Sequence, residues 1–255
     1  MMTSKVELWD IKMIYSLYSK KDATIYEGTA AANDLDTQYQ NTGIDEMLEI
    51  QKLVSSSLTS QTYNSRILCH FDIDWTKINN GSASTATSNS MYLNLYTTEA
   101  IAIPYSYSLV THPVSESWTM GLGRAGHKPK TTDGVSWKNR TGDSTAGTLW
   151  TTSSVSLPNP WPTTGGGIMS TGSNGPTNTG GGNWYTRSFA TQTVTHESTD
   201  VRMDVTNIAL DWSSSIYNNN GFIIKRSGSQ GADNAEWNTN TYGTLKFFAE
   251  NTHTV

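Results

Sequence analysis

The 255-residue chain carries 17 Lys and Arg against 22 Asp and Glu, a net charge of −5 with histidines neutral, and only 15% of its residues are charged. No Lys/Arg run supplies the electrostatic footprint of a nucleic-acid binder, which excludes DNA and RNA as expected direct partners. The single cysteine, Cys69, cannot form an intrachain disulfide or by itself a Cys-based zinc site, so at this length stability must come from packing.

Residues 1–20 mix Lys5, Glu7, Asp10 and Lys12 with apolar positions, so they contain no uninterrupted apolar stretch of the signal-peptide kind. No segment reaches the roughly 18 to 20 apolar residues of a membrane span, and no membrane partner is expected. Strands are predicted at Ala23–Tyr26 and Met47–Val54. The next is clearer: Ile67, Cys69, Phe71 and Ile73 alternate with Arg66, His70, Asp72 and Asp74, a half-buried pattern with a polar outer face. The segment from Asn79 to Ser90, almost entirely Asn, Gly, Ser, Ala and Thr, reads as an exposed connection. Met91, Leu93 and Leu95 then alternate with Tyr92, Asn94 and Tyr96, and Tyr105–Val110 is a further strand.

From Lys138 to Asn183 the chain is polar, rich in Gly and Pro, and punctuated by Trp150, Trp161 and Trp184. A flexible linker needs no indoles, so this long excursion is expected to pack back onto the body. Val201, Met203 and Val205 form another alternating face. Val205, Ile208 and Trp212 fall at i, i+3 and i+7, predicting one short helix capped by Asp204 or Thr206. Gly221–Lys225 and Thr244–Ala249 are strands of more continuous burial. Many short strands with one short helix indicate an all-β, antiparallel β-sandwich or jelly roll, in one domain spanning 1–255 with the excursion at 138–183.

Catalytic signatures are sparse. There is no Gly-x-Ser-x-Gly elbow, and Cys69 lies on the inward face of its strand, where a cysteine acts as a small hydrophobe. Gly121-Leu122-Gly123-Arg124-Ala125-Gly126 has the dinucleotide spacing without its strand and helix, and reads as a tight turn. No two of the five histidines stand at metal-ligand spacing, so neither metal nor cofactor is expected. Asp72 and Asp74 are a carboxylate pair for calcium or acid/base work, or else a polar strand face leading into a turn. With 9 Trp and 12 Tyr, aromatics are the remaining chemistry. Trp75, Trp118, Trp137 and Trp212 flank strands or the helix and are assigned to the core or its rim. Trp150, Trp161 and Trp184 are the candidate contacts for a glycan or another subunit, with loop anchoring as the competing role.

Taken in order, Arg66-Ile67-Leu68-Cys69-His70-Phe71-Asp72-Ile73, Met91 to Tyr96, Trp118 with Gly134 to Arg140, Asp204-Val205-Thr206 with Trp212, Asn220 to Lys225 and Phe247-Phe248-Ala249-Glu250 resemble the DNRLRE-type β-sandwich domain. That family's last, Pro-containing strand has no counterpart before Val255, and the 138–183 insertion exceeds its usual loop. The resemblance implies a jelly-roll-like sandwich, used either in carbohydrate-binding modules or in structural proteins of tailed bacteriophages, especially contractile-tailed marine and cyanobacterial phages. The unexported, Ser/Thr/Asn-rich chain is similar to the second group. It implies a non-enzymatic virion protein of the neck, tail or a fibre-anchoring appendage, whole or as the N-terminal part of a longer chain, which assembles with other virion proteins and copies of itself. The alternative is a carbohydrate-binding module that recognises a polysaccharide through loop aromatics.

Overall fold

The computed structural model describes residues 14–27, 35–54, 62–80, 90–103, 107–143, 145–150, 168–170, 180–227 and 242–252. In chain order the elements are β1 (Lys21–Tyr26), α1 (Leu35–Tyr39), β2 (Met47–Val54), β3 (Thr62–His70), α2 (Trp75–Asn80), β4 (Tyr92–Leu95), β5 (Thr97–Ile101), β6 (Tyr107–Pro113) and β7 (Asn139–Thr141). They continue with β8 (Thr148–Leu149), β9 (Ile168–Ser170), β10 (Asn183–Tyr185), β11 (Ala190–Val194), β12 (Val201–Asp204), α3 (Thr206–Ser213), β13 (Phe222–Arg226) and β14 (Gly243–Phe248).

All strand pairs are antiparallel. The main sheet runs β11-β6-β13-β3-β2-β14-β5, with β1 also on β3. The long strand β3 is the corner of the fold. Its first residues pair with β2 (Lys52↔Asn64, Val54↔Thr62), while its later ones pair with β13 (Phe222↔Cys69, Ile224↔Ile67) and β1 (Lys21↔His70, Tyr26↔Ser65). The sheet therefore folds over into two layers. One holds β11, β6, β13, β3 and β1; the other holds β2, β14 and β5, beside the β12-β4 ribbon. Between them lies a single apolar cluster. It takes Leu48 and Ile50 from β2, Leu245 and Phe247 from β14, Ile67 and Cys69 from β3, and Leu93, Leu95, Val201 and Met203 from the ribbon. These are the inward positions of the alternating patterns, since side chains along a strand point to opposite faces in turn. The all-β antiparallel sandwich is thus the fold, and among the described residues no two chain-consecutive strands are neighbours within the first layer.

Two expectations need correction. The described residues contain three short helices, not one. At five and six residues, α1 and α2 are too short for apolar periodicity to reveal. The far side of β3 is not a solvated polar face either. A second cluster covers it, in which Ala23, Ile25, Leu68 and Ile223 meet Val114, Val135, Trp118, Trp137, Trp150 and Trp184. Arg66, expected to face water, is fully buried there, with its guanidinium 4.6 Å from the Trp137 ring and 5.2 Å from the Trp184 ring. It also donates to the Gly181 carbonyl. The first layer is therefore covered on both faces.

The helix α3 forms where the i, i+3, i+7 pattern places it, with Ile208 and Trp212 buried. The expected cap by Asp204 or Thr206 does not form: Val205 stands at the N-cap position with no side-chain cap bond, and Asp204, one residue earlier, accepts the Thr206 N–H at 3.0 Å. That bond, with one from the Thr206 hydroxyl, holds the Asp204 carboxyl below its usual range.

Candidate functional site

The three tryptophans expected to meet a ligand or subunit do not form an exposed platform. Trp150 is 1% exposed and donates its indole N–H to the Ser136 carbonyl at 3.0 Å. Trp184 is 2% exposed, stacked at 5.8 Å on His112, with Lys225 Nζ 5.5 Å from its ring. Trp161 lies outside the described residues. The described ends of the excursion do return to the body, and glycines make this possible. Gly181 (φ +84°) and Gly182 (φ +89°) carry the backbone so close that a Cβ would meet Arg66 Nη1 at 2.4 Å and Ile223 Cδ1 at 2.6 Å. Trp118, Trp137 and Trp212 are buried and Trp75 is partly buried against the core, as assigned.

The other chemical candidates separate in the same way. Cys69 is buried, and desolvation pushes its thiol well above the usual range, away from the thiolate a nucleophile needs. Asp72 and Asp74 lie beyond the end of β3 rather than side by side on it. Asp74 caps α2, accepting from the Thr76 N–H (3.1 Å) and hydroxyl (2.6 Å). Among the described residues no group of three or more His, Cys, Asp or Glu could hold a metal ion, and no helix is long and apolar enough to cross a membrane. The Gly121–Gly126 turn is wrapped around fully buried Asn41. Its amide donates to the Met120 and Val135 carbonyls, and its oxygen accepts the Gly43 and Gly123 N–H groups. A Cβ at Gly121 or Gly123 would stand 2.4 or 2.2 Å from Asn41 atoms, so these glycines serve packing.

What the fold leaves facing outward is an apolar row on the second layer. Inward Phe247 puts Phe248 on the outer face, directly opposite Met47 on β2. The Phe248 N–H donates to the Tyr96 carbonyl at 3.1 Å, setting Tyr96 on the other side of Phe248. Alternation along β4 then carries the same face through the polar Asn94 to Tyr92, which stacks under the Arg202 guanidinium at 4.1 Å. Tyr96 is 63% exposed, Phe248 and Met47 45%, and Tyr92 43%. Next to this row, Glu49, Lys246 and Glu99 stand opposite one another on β2, β14 and β5. Lys246 Nζ lies 2.7 Å from Glu99, which raises the lysine's pKa, and Glu49 accepts the Tyr26 hydroxyl at 2.7 Å.

Tyr, Phe, Met and Arg beside a charged border are the residue types enriched in protein–protein interfaces. Such an arrangement can bind by apolar burial with a polar rim. Alternation placed Tyr92 and Tyr96 outward in the sequence. The adjacency of Tyr96 to Phe248, and of Phe248 to Met47, depends on pairing between segments some 150 and 200 positions apart, which no local signal reports. Compared with known proteins, the chain matches no family model and no curated protein.

Proposed function

We propose that the chain is a structural component of a tailed-phage virion, in the neck, tail or a fibre-anchoring appendage, and that it acts through protein–protein assembly rather than catalysis. The observation that carries the assembly role is the exposed row Met47, Phe248, Tyr96 and Tyr92 with its charged border. Placement in a virion is supported by the resemblance of the ordered segments to DNRLRE-type domains and by the sparse charge of the Ser/Thr/Asn-rich chain. Sugar recognition through Trp150 and Trp184 finds no support, since neither indole offers a face to solvent.

Purified particles of the encoding phage test the proposal. Antibodies against the chain should label intact or partly disrupted particles at one structural position in electron micrographs. A Tyr96→Asp/Phe248→Asp double variant, with an unchanged circular dichroism spectrum, should drop out of assembled particles by tenfold or more, because both side chains lie at the centre of the row. Absence of the chain from particles would defeat the reading, as would full incorporation of the double variant for this face.

A further inference from the structure

A sheet edge is an open row of hydrogen-bonding groups, and folded proteins usually cover it. The β1 end of this sheet is closed by a side chain at one residue. On β1, the Thr42 hydroxyl accepts the Thr24 N–H at 2.9 Å and donates to the Thr24 carbonyl at 2.7 Å. At the β11 end, the Gln192 side chain reaches the backbone at β12, donating to the Asp200 carbonyl (2.9 Å) and accepting the Arg202 N–H (2.7 Å), which holds that strand beside β11. The third end, β5, has such a bond only at its first residue, Thr97, among the described residues. Among the described residues it terminates the sheet, pairs only with β14, and exposes Thr98, Glu99, Ala100 and Ile101 in succession. Beside it runs a cleft of about 380 Å³, bounded by Thr97 to Ala100 on one side and by Glu197 to Asp200 on the other. Thr97 fixes the cleft's floor, donating its N–H to Asp200 Oδ1 (2.8 Å) and its hydroxyl to the Thr199 carbonyl (2.7 Å). Glu99, Glu197 and Asp200 make the cleft acidic, with Lys246 engaged by Glu99.

We propose that the outer edge of β5 accepts an extended, Lys- or Arg-bearing segment of another protein as an additional strand, with its basic side chains over the acidic cleft. This deepens the assembly reading above by naming the kind of partner. Backbone pairing supplies the affinity in such strand addition, and side chains at alternate positions supply the selectivity. A second copy of this chain is the wrong occupant. Antiparallel pairing of β5 with itself over its full length sets its central residue, Glu99, against the same glutamate, and like charges directly opposite are destabilising. The chain's own undescribed stretches fit no better. Among them only residues 1–13 carry Lys or Arg, and there Lys5 and Lys12 are matched by Glu7 and Asp10.

The test uses the isotope-labelled full chain and three short synthetic peptides: alternating Val and Lys, alternating Val and Glu, and the Val/Lys peptide N-methylated along its backbone. The Val/Lys peptide should shift the amide resonances of Thr98 to Ile101 and Ser198 to Asp200 saturably. The Val/Glu and N-methylated peptides should bind about tenfold more weakly or worse, the first for charge and the second for lost backbone donors. Glu197→Lys, at an exposed position, should weaken the Val/Lys peptide about fivefold while leaving the spectrum elsewhere unchanged. Failure of the Val/Lys peptide to shift β5, or equal binding after N-methylation, overturns strand addition here. A chain found in particles whose β5 fails this test loses the inference and keeps the assembly role; a chain absent from particles whose β5 passes it loses the virion placement alone.

Discussion

At Asp22, burial outweighs every other influence on the carboxyl. The residue sits on β1, 2% exposed, with the Glu250 N–H as donor at 2.8 Å, and desolvation raises its pKa from 3.8 to about 6. A raised acid means that the native state holds the proton more tightly than the unfolded chain does. The stabilising contribution is therefore complete below about pH 4 and is lost as pH rises through 6. Two pH units correspond to of order 2 to 3 kcal/mol. Asp22→Asn keeps an acceptor for the Glu250 N–H and carries no charge. It should match the wild type in urea midpoint near pH 4 and exceed it at pH 7. A stability gap that stays flat between those pH values would contradict the burial account. Asn41 makes a related point. As a lone polar residue in the sequence it carries no signal, yet its amide is satisfied on both sides by backbone from a turn some 80 positions away.

At the level of elements, hydrophobic alternation marked most strands and α3 correctly, because each has one face toward a single core. It failed where both faces are buried. On β3, Arg66 and Leu68 alternate with Ile67 and Cys69, yet all four are buried, since covering tryptophans come from residues 118–150 and 184. Edge protection was also invisible. Thr42 looks like an ordinary loop threonine, but its hydroxyl replaces the missing strand neighbour of Thr24. Thr42→Val preserves shape and removes both bonds. It should cost about 1 to 3 kcal/mol and speed hydrogen exchange of the Thr24 amide relative to the Ile67 amide. Unchanged exchange at Thr24 would show that something else closes that edge.

In the whole molecule, Arg66 ties the covering layer to the sheet. It is flanked by Trp137 and Trp184 and bonded to Gly181, so removing it opens a cavity and frees two indoles at once. Arg66→Ala should lower stability by about 3 kcal/mol or more and shift tryptophan emission to the red as these rings meet water. Arg66→Met, which restores the apolar stem, should lose less. Equal losses would mean that the aliphatic stem contributes nothing to packing.

The sequence by itself determined the all-β class, the inward set of most strands, the position of α3 and the inertness of Cys69, because these follow from local alternation and side-chain polarity. It also placed Tyr92 and Tyr96 on an outward face. Only the tertiary structure decided that Trp150 and Trp184 turn inward, that Phe248 and Met47 complete an exposed row, and that β5 ends the described sheet with Thr98 to Ile101 exposed. Each of these depends on which distant strands become neighbours. That choice is made by antiparallel pairing across the whole chain, where no short-range period carries information.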